Sequence, residues 1–70
     1  MSRVSYKKLW IRLAEKEMKR VELSRAVGFS EATLSKLGKN EPVSLTVLIR
    51  ICDYLGCDIG DIIELVGRGE

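Results

Sequence analysis

Between Lys19 and Asn40 the chain gathers side chains better suited to binding than to reacting. Lys19 and Arg20 open one short helical pattern, Lys36 sits on the next, and Lys39 and Asn40 follow directly after it. Cations beside the unpaired N–H groups of a helix start attract an anion through both charge and the helix dipole. Between these cations, Ser30, Glu31, Ala32, Thr33 and Ser35 offer hydroxyls, a methyl group and one carboxylate. Such groups can hydrogen-bond or pack against the edges of base pairs, while the cations hold phosphates.

The rest of the chain offers little for catalysis. There is no histidine, Cys52 falls in an apolar helical stripe without a base, and the carboxylates are scattered over surface turns. A nucleophile needs an adjacent activating group, so we expect no enzyme and no cofactor. Cys52 and Cys57 are five apart, a spacing that fits neither a zinc ligand set nor a redox pair. Both read as small buried or half-buried hydrophobes, and no metal is expected.

Charge is unevenly divided. Residues 1–40 carry ten Lys/Arg against four acids, and residues 41–70 carry two against six, so a net charge of +2 conceals a basic half and an acidic one. This suits one face that approaches a polyanion, although charges that merely solvate a helical surface give the same count. No apolar run approaches the roughly 18 residues of a membrane span, and charges interrupt "MSRVSYKKLWIRLAEK" too often for a secretory signal. The expected location is the cytoplasm, without membrane or small-molecule partners.

The elements that must position the binding residues are helices. Seventy residues make one domain (1–70), near the lower size limit for folding on hydrophobic burial alone. Ser5 is an N-cap type, with Val4 and Leu9 at the spacing of a hydrophobic staple, and Tyr6, Leu9, Trp10, Leu13 and Ala14 then form one stripe. Trp10 reads as a core anchor. A second helix from Lys19 to Val27 buries Leu23, Val27 and Ala26 and stops at Gly28. Ser30 caps a third, Glu31 to Leu37, closed by "GKN" and Pro42. Ser44 caps a fourth with Leu45, Leu48, Ile49, Cys52 and Leu55, ended by Gly56. Asp58 and Asp61 open a fifth with Ile59, Ile62, Ile63 and Leu65, before a frayed "GRGE". The expectation is an all-α, five-helix domain without strands.

On the third helix, with Leu34 set at zero and about 100° per residue, Leu37 falls at about 300° and the buried direction near 330°. Ala32, Ser35 and Lys36 point the opposite way, with Glu31 and Thr33 on the edges. A lightly decorated face directly after a tight turn can enter a DNA major groove.

Over about Lys7–Leu65 the segments "VELSRAVGFSEATLSKL" and "VSLTVLIRICDYLGCDIGDIIEL" resemble the Cro/C1-type helix-turn-helix proteins, the phage-repressor fold. The carriers are Leu23, Gly28, Ser30, Thr33, Leu34 and Leu37, then Leu48, Ile51 or Cys52, Leu55 and Gly56, and the closing "D..DI"; "LGKNEPVSL" is similar to a branch of small stand-alone members. The resemblance places the helix-turn-helix at about 20–37. It implies that Arg20 contacts phosphate and that Glu31, Ala32 and Thr33 read bases, with Lys36 one turn on. Many members carry glutamine where Arg20 and Glu31 stand, and Glu31 either accepts from a cytosine amino group or turns aside to cap the helix.

The functional expectation is a sequence-specific double-stranded DNA-binding transcriptional regulator, a repressor because no second domain for activation or ligands is present. So small a domain makes few base contacts, which calls for a homodimer on a near-palindromic operator. Ile59, Ile62, Ile63, Leu65 and Val66 are the candidate dimer face, being more apolar than one short helix needs. The competing reading is a small helical protein-protein interaction module using the apolar surface of the last two helices.

Overall fold

The computed structural model describes residues 2–67. In chain order it has strand β1 (Arg3–Ser5), helices α1 (Lys7–Glu15), α2 (Arg20–Val27), α3 (Glu31–Gly38) and α4 (Leu45–Leu55), a 3-10 turn (Ile59–Asp61) and strand β2 (Glu64–Val66). The four long apolar repeats therefore become helices. Two expectations are corrected: the fold is not all-α, and the fifth helix is a single 3-10 turn followed by a strand.

The physical reason lies in length and residue type. Asp58 does cap the 3-10 turn, its Oδ1 accepting from the Ile59 N–H at 2.7 Å, and the Asp61 carboxylate accepts from the Asp58 N–H at 2.9 Å. A one-turn nucleus is unfavourable without continuation. Ile62, Ile63 and Val66, the β-branched residues of the stretch that follows, favour extended backbone, and β1 offers β2 a partner. The strands are antiparallel, with Arg3 opposite Val66, Val4 opposite Leu65 and Ser5 opposite Glu64. Ser5 is thereby drawn into β1, and Tyr6 takes the N-cap position of α1 without a side-chain cap bond. The Ser5 hydroxyl accepts from the Lys7 N–H instead, at 3.3 Å. Of the expected frayed end, 68–70 lie outside the described residues, and Gly67 has φ 73°.

Tyr6, Leu9, Leu13, Leu23, Val27, Leu37, Leu48, Ile51, Cys52 and Ile62 form one buried cluster, so every element from α1 to the 3-10 turn's flank contributes to it. Outside it are Ala14 and Ala26, both exposed, with Leu45 and Ile49 largely so. The apolar stripes place all four inside. Their positions fall on the margins of the helical wheels, where neighbouring helices do not reach.

The four α-helices close alike. A left-handed residue stands directly after α2 and α4 and one residue later after α1 and α3, and the residue beyond it donates its N–H five positions back: Met18 to Leu13, Phe29 to Ser24, Glu41 to Lys36 and Cys57 to Cys52. Gly28 and Gly56 adopt this conformation without a Cβ penalty, whereas Glu17 (φ 54°) and Asn40 (φ 57°) do so with one. At the end of α4 this geometry brings Cys57 against Cys52, both free thiols. Burial, and then the neighbouring Cys57, push the Cys52 thiol up to about 11, so it remains protonated and behaves as a small hydrophobe.

Tyr6 ties the strand–helix junction to the loop after α3. Its hydroxyl donates to the Glu41 carbonyl at 2.7 Å, and its backbone N–H donates to the Asn40 Oδ1 at 3.1 Å. Burial holds the phenol above its ordinary pKa of 10.0. The unfolded chain then ionises first as pH rises, so stability is intact below about pH 10 and declines through the raised folded value. Tyr6→Phe should lower unfolding free energy by about 1–2 kcal/mol near neutrality, and should lose this share of the alkaline decline. Chemical denaturation at pH 7 and above pH 10 checks both effects; a variant matching the parent at each pH would refute the tether.

Candidate nucleic-acid interface

The site begins with the turn between α2 and α3. Ser24, buried one turn before the end of α2, donates its hydroxyl to the Val21 carbonyl at 2.8 Å and accepts the closing N–H groups of Gly28 and Phe29 on its own carbonyl. Gly28 sits at φ 90°, and only Phe29 and Ser30 separate it from α3. The guanidinium of Arg50, on α4, donates to the Val27 carbonyl, capping α2 from outside. That carbonyl is one of the unpaired acceptors every helix leaves at its C-terminus, where a cation also meets the negative end of the dipole.

Ser30 starts α3 as expected. Its Oγ accepts from the Thr33 N–H at 3.2 Å and lies 3.1 Å from the Thr33 hydroxyl. Capping is thus done by Ser30, and Glu31 stands exposed in the first turn at the positive end of the helix. Leu37 is fully buried and fastens α3 from behind. Leu34 is a correction: it is half-buried and outside the core cluster, so α3 is anchored by one leucine rather than two. In exchange the outward surface is wider. Glu31, Ala32, Ser35 and Lys36 are exposed along it, Thr33 is half-buried, and Lys39 and Asn40 continue the exposed surface beyond the helix.

Lys19 and Arg20 stand at the start of α2, and the Arg20 side chain reaches the C-terminal end of α3, where its Nη1 would lie 3.6 Å from a Cβ on Gly38. The two cationic clusters therefore share one end of α3 rather than flanking it. Lys19 is the N-cap residue of α2, extended at ψ 153°, and its N–H donates to the Glu22 Oε1 at 3.0 Å. Arg20 is the first helical residue, and its guanidinium carbon lies 3.9 Å from the centroid of the Trp10 ring. Both cations are exposed. Asn40 is already engaged, since its Oδ1 holds Tyr6, leaving its amide nitrogen for any ligand.

The candidate dimer residues divide. Ile62 is 0% exposed within this chain's own core, which removes it as a pairing residue. Leu65 is 53% exposed, and Ile59, Ile63 and Val66 are half-buried. Two residues escape a reading of the sequence alone. Arg50 leaves one signal, the lone cation of α4 within its apolar stripe, and Tyr6 leaves none, because its hydroxyl partner is a backbone carbonyl 35 positions away.

Two helices joined by a three-residue glycine turn, the second anchored by a buried leucine and exposed along its outward face, define a helix-turn-helix domain. The chain belongs to the Cro/C1-type HTH DNA-binding domain family, whose model matches residues 8–67. It is 43% identical over 56 residues to the uncharacterized HTH-type transcriptional regulator YozG of Bacillus subtilis (strain 168), an alignment spanning 77% of this chain and 67% of that one. Among solved structures it is similar to the transcriptional regulator VanUg, with 62% identity and a TM-score of 0.91 over 93% of this chain and 87% of that chain. A putative DNA-binding protein from Bacteroides fragilis is 30% identical, with a TM-score of 0.64 over 91% of this chain and all of that chain.

Gly28 sets the angle between α2 and α3. A Cβ there would lie 3.2 Å from the Arg50 Nη2, in a backbone conformation that disfavours L side chains. Gly28→Ala should destabilise the domain by about 1–2 kcal/mol. In an Arg50→Ala background the crowding disappears and only the backbone strain remains, so the glycine substitution should cost less there. Denaturant midpoints of the four proteins measure this; equal stability of Gly28→Ala and parent would mean that the turn does not take this shape.

Proposed function

We propose that the chain is a sequence-specific double-stranded DNA-binding transcriptional regulator that acts as a repressor, reading the major groove with α3. The observation that carries the proposal is the exposed face of Ala32, Ser35 and Lys36 on a helix whose opposite side is fixed by buried Leu37. An α-helix fits the major groove, and a face of small residues allows the backbone of α3 to approach the bases. Relatives named as transcriptional regulators support the same reading.

Roles follow from position. Glu31, Ala32, Thr33, Ser35 and Lys36 face base edges, and Lys36 is suited to a guanine O6 and N7. Lys19, Arg20, Lys39 and the Asn40 amide hold phosphate at the C-terminal end of α3, and Ser30 does so at its N-terminal end. The chain works as one domain in the cytoplasm, without a cofactor, and none of its helices is long and apolar enough to cross a membrane among the described residues.

Eight residues of α3 span about 12 Å, enough for only a few base pairs. Two copies on a near-palindromic operator, with half-sites about 34 Å apart, would supply the missing contacts. The pairing surface we favour is Leu65 with the exposed portions of Ile59, Ile63 and Val66.

Selection from random duplex DNA at physiological salt tests the function directly, and should return near-palindromic sites. Lys36→Ala should then weaken the selected site by about 1–3 kcal/mol and relax preference at one base per half-site. Failure to enrich any sequence, together with binding indifferent to salt between ~50 and ~200 mM, would instead favour a protein-interaction module.

Sedimentation addresses the pairing separately. We expect dimer at high micromolar concentration or on the selected duplex, and Leu65→Lys should abolish it. A monomer under both conditions would end the two-fold model.

A further inference from the structure

Arg20 occupies the joint of three helices. It is the first residue of α2, its guanidinium carbon sits 3.9 Å from the Trp10 ring centroid on α1, and its Nη1 lies 3.6 Å from where a Cβ on Gly38 would stand, at the C-terminal turn of α3. The sole tryptophan of the chain is only half-buried, so its ring supports the core and still presents a surface to this cation.

From this arrangement we infer that Trp10 is a positioning residue for DNA binding: its ring holds the Arg20 guanidinium, before DNA arrives, in the orientation that receives a phosphate at the start of α2. The inference rests on the reading of Arg20 as a phosphate ligand, and adds to it the device that makes Arg20 effective. A free arginine side chain samples many rotamers and loses that freedom on binding. Stacking on an indole uses the face of the guanidinium and leaves its edge N–H groups available, so the ordering is done in the free protein.

Gly38 marks the third side of the seat. A Cβ there would stand in ordinary van der Waals contact with the guanidinium, at 3.6 Å, so the cation lies beside the last turn of α3, where helix carbonyls present the negative end of the dipole. The same cation thus lies beside the helix that reads bases. Phosphate binding at Arg20 and base reading by α3 are consequently held in one register.

The test uses the full chain with a random-sequence duplex of about 30 base pairs, where binding depends on phosphate contacts. Arg20→Ala should weaken binding and reduce the slope of log affinity against log salt by about one. Trp10→Leu, which keeps an apolar body without a π face, should weaken binding roughly twofold to fivefold. Trp10→Phe should recover part of that loss. The double variant Trp10→Leu/Arg20→Ala should bind no worse than Arg20→Ala alone, because Trp10 acts only through Arg20.

Fluorescence supplies a readout that does not require Trp10 to be replaced. Emission from Trp10 should respond to DNA in the parent and lose that response in Arg20→Ala. If Trp10→Leu binds like the parent with an unchanged slope, or its loss adds fully to that of Arg20→Ala, the positioning role is overturned while the phosphate role stands. The positioning role is likewise overturned if Trp10 emission responds equally in both proteins, and that measurement decides the matter even if Trp10→Leu does not fold. If Arg20→Ala itself changes neither affinity nor slope, the phosphate reading fails and takes the inference with it.

Discussion

The structure depends on one constraint: α3 must be fixed from behind by Leu37 while the chain reverses into it through only Gly28, Phe29 and Ser30. A helix this short is not stable alone, so its persistence comes from tertiary burial and from satisfied ends. The Ser30 hydroxyl meets the first turn, and the N–H groups of Lys39, Asn40 and Glu41 meet carbonyls of the last. With both ends and one face committed, the outward face carries no structural duty. It can hold alanine, serine and lysine in whatever arrangement a ligand requires.

The same economy governs the corner. Val27 ends α2 with an unpaired carbonyl beside a glycine, and Arg50 reaches across from α4 to occupy it. This bond joins α4, which contributes three buried residues to the core, directly to the turn that aims α3. Tyr6 does the corresponding work on the other side, holding Asn40 and Glu41 in the loop that follows α3. Helix α3 is therefore braced at its entrance by α4 and at its exit by the β1–α1 junction, two regions distant in sequence.

Much of this is legible in the residues alone. Gly28 and Gly56, Ser30 and Ser44, and the three-and-four spacing of leucines announce where α2, α3 and α4 begin and end, because caps and stripes are local signals. The ribbon is not legible. Val4 pairs with Leu65 across the length of the chain, and a three-residue strand has no periodicity to read. By composition the whole Ile59–Val66 stretch is surplus apolar surface for a partner, but Ile62 is buried in this chain's own core and Ile59, Ile63 and Val66 are half-buried, leaving Leu65 the most open. In the candidate site the residue types are legible and their engagements are not. Asn40 as a backbone acceptor, Leu34 as a margin residue and Trp10 as a seat for Arg20 each depend on an approach between elements that sequence spacing does not encode.

That seat bears on how so small a domain could discriminate among sequences. On the proposed reading α3 reaches few bases, so each contact must be made with little loss of freedom. Residues on the first turns of α3 move with a helix whose ends are capped and whose Leu37 is buried, and Arg20 is stacked on Trp10 beside the last turn of α3. A phosphate gripped at Arg20 would then fix the depth and angle of α3 through contacts already present in the free chain. Sequence-independent charge and sequence-dependent reading would in this way share one rigid frame, and a loosened joint would blur specificity even with every base-contacting residue intact.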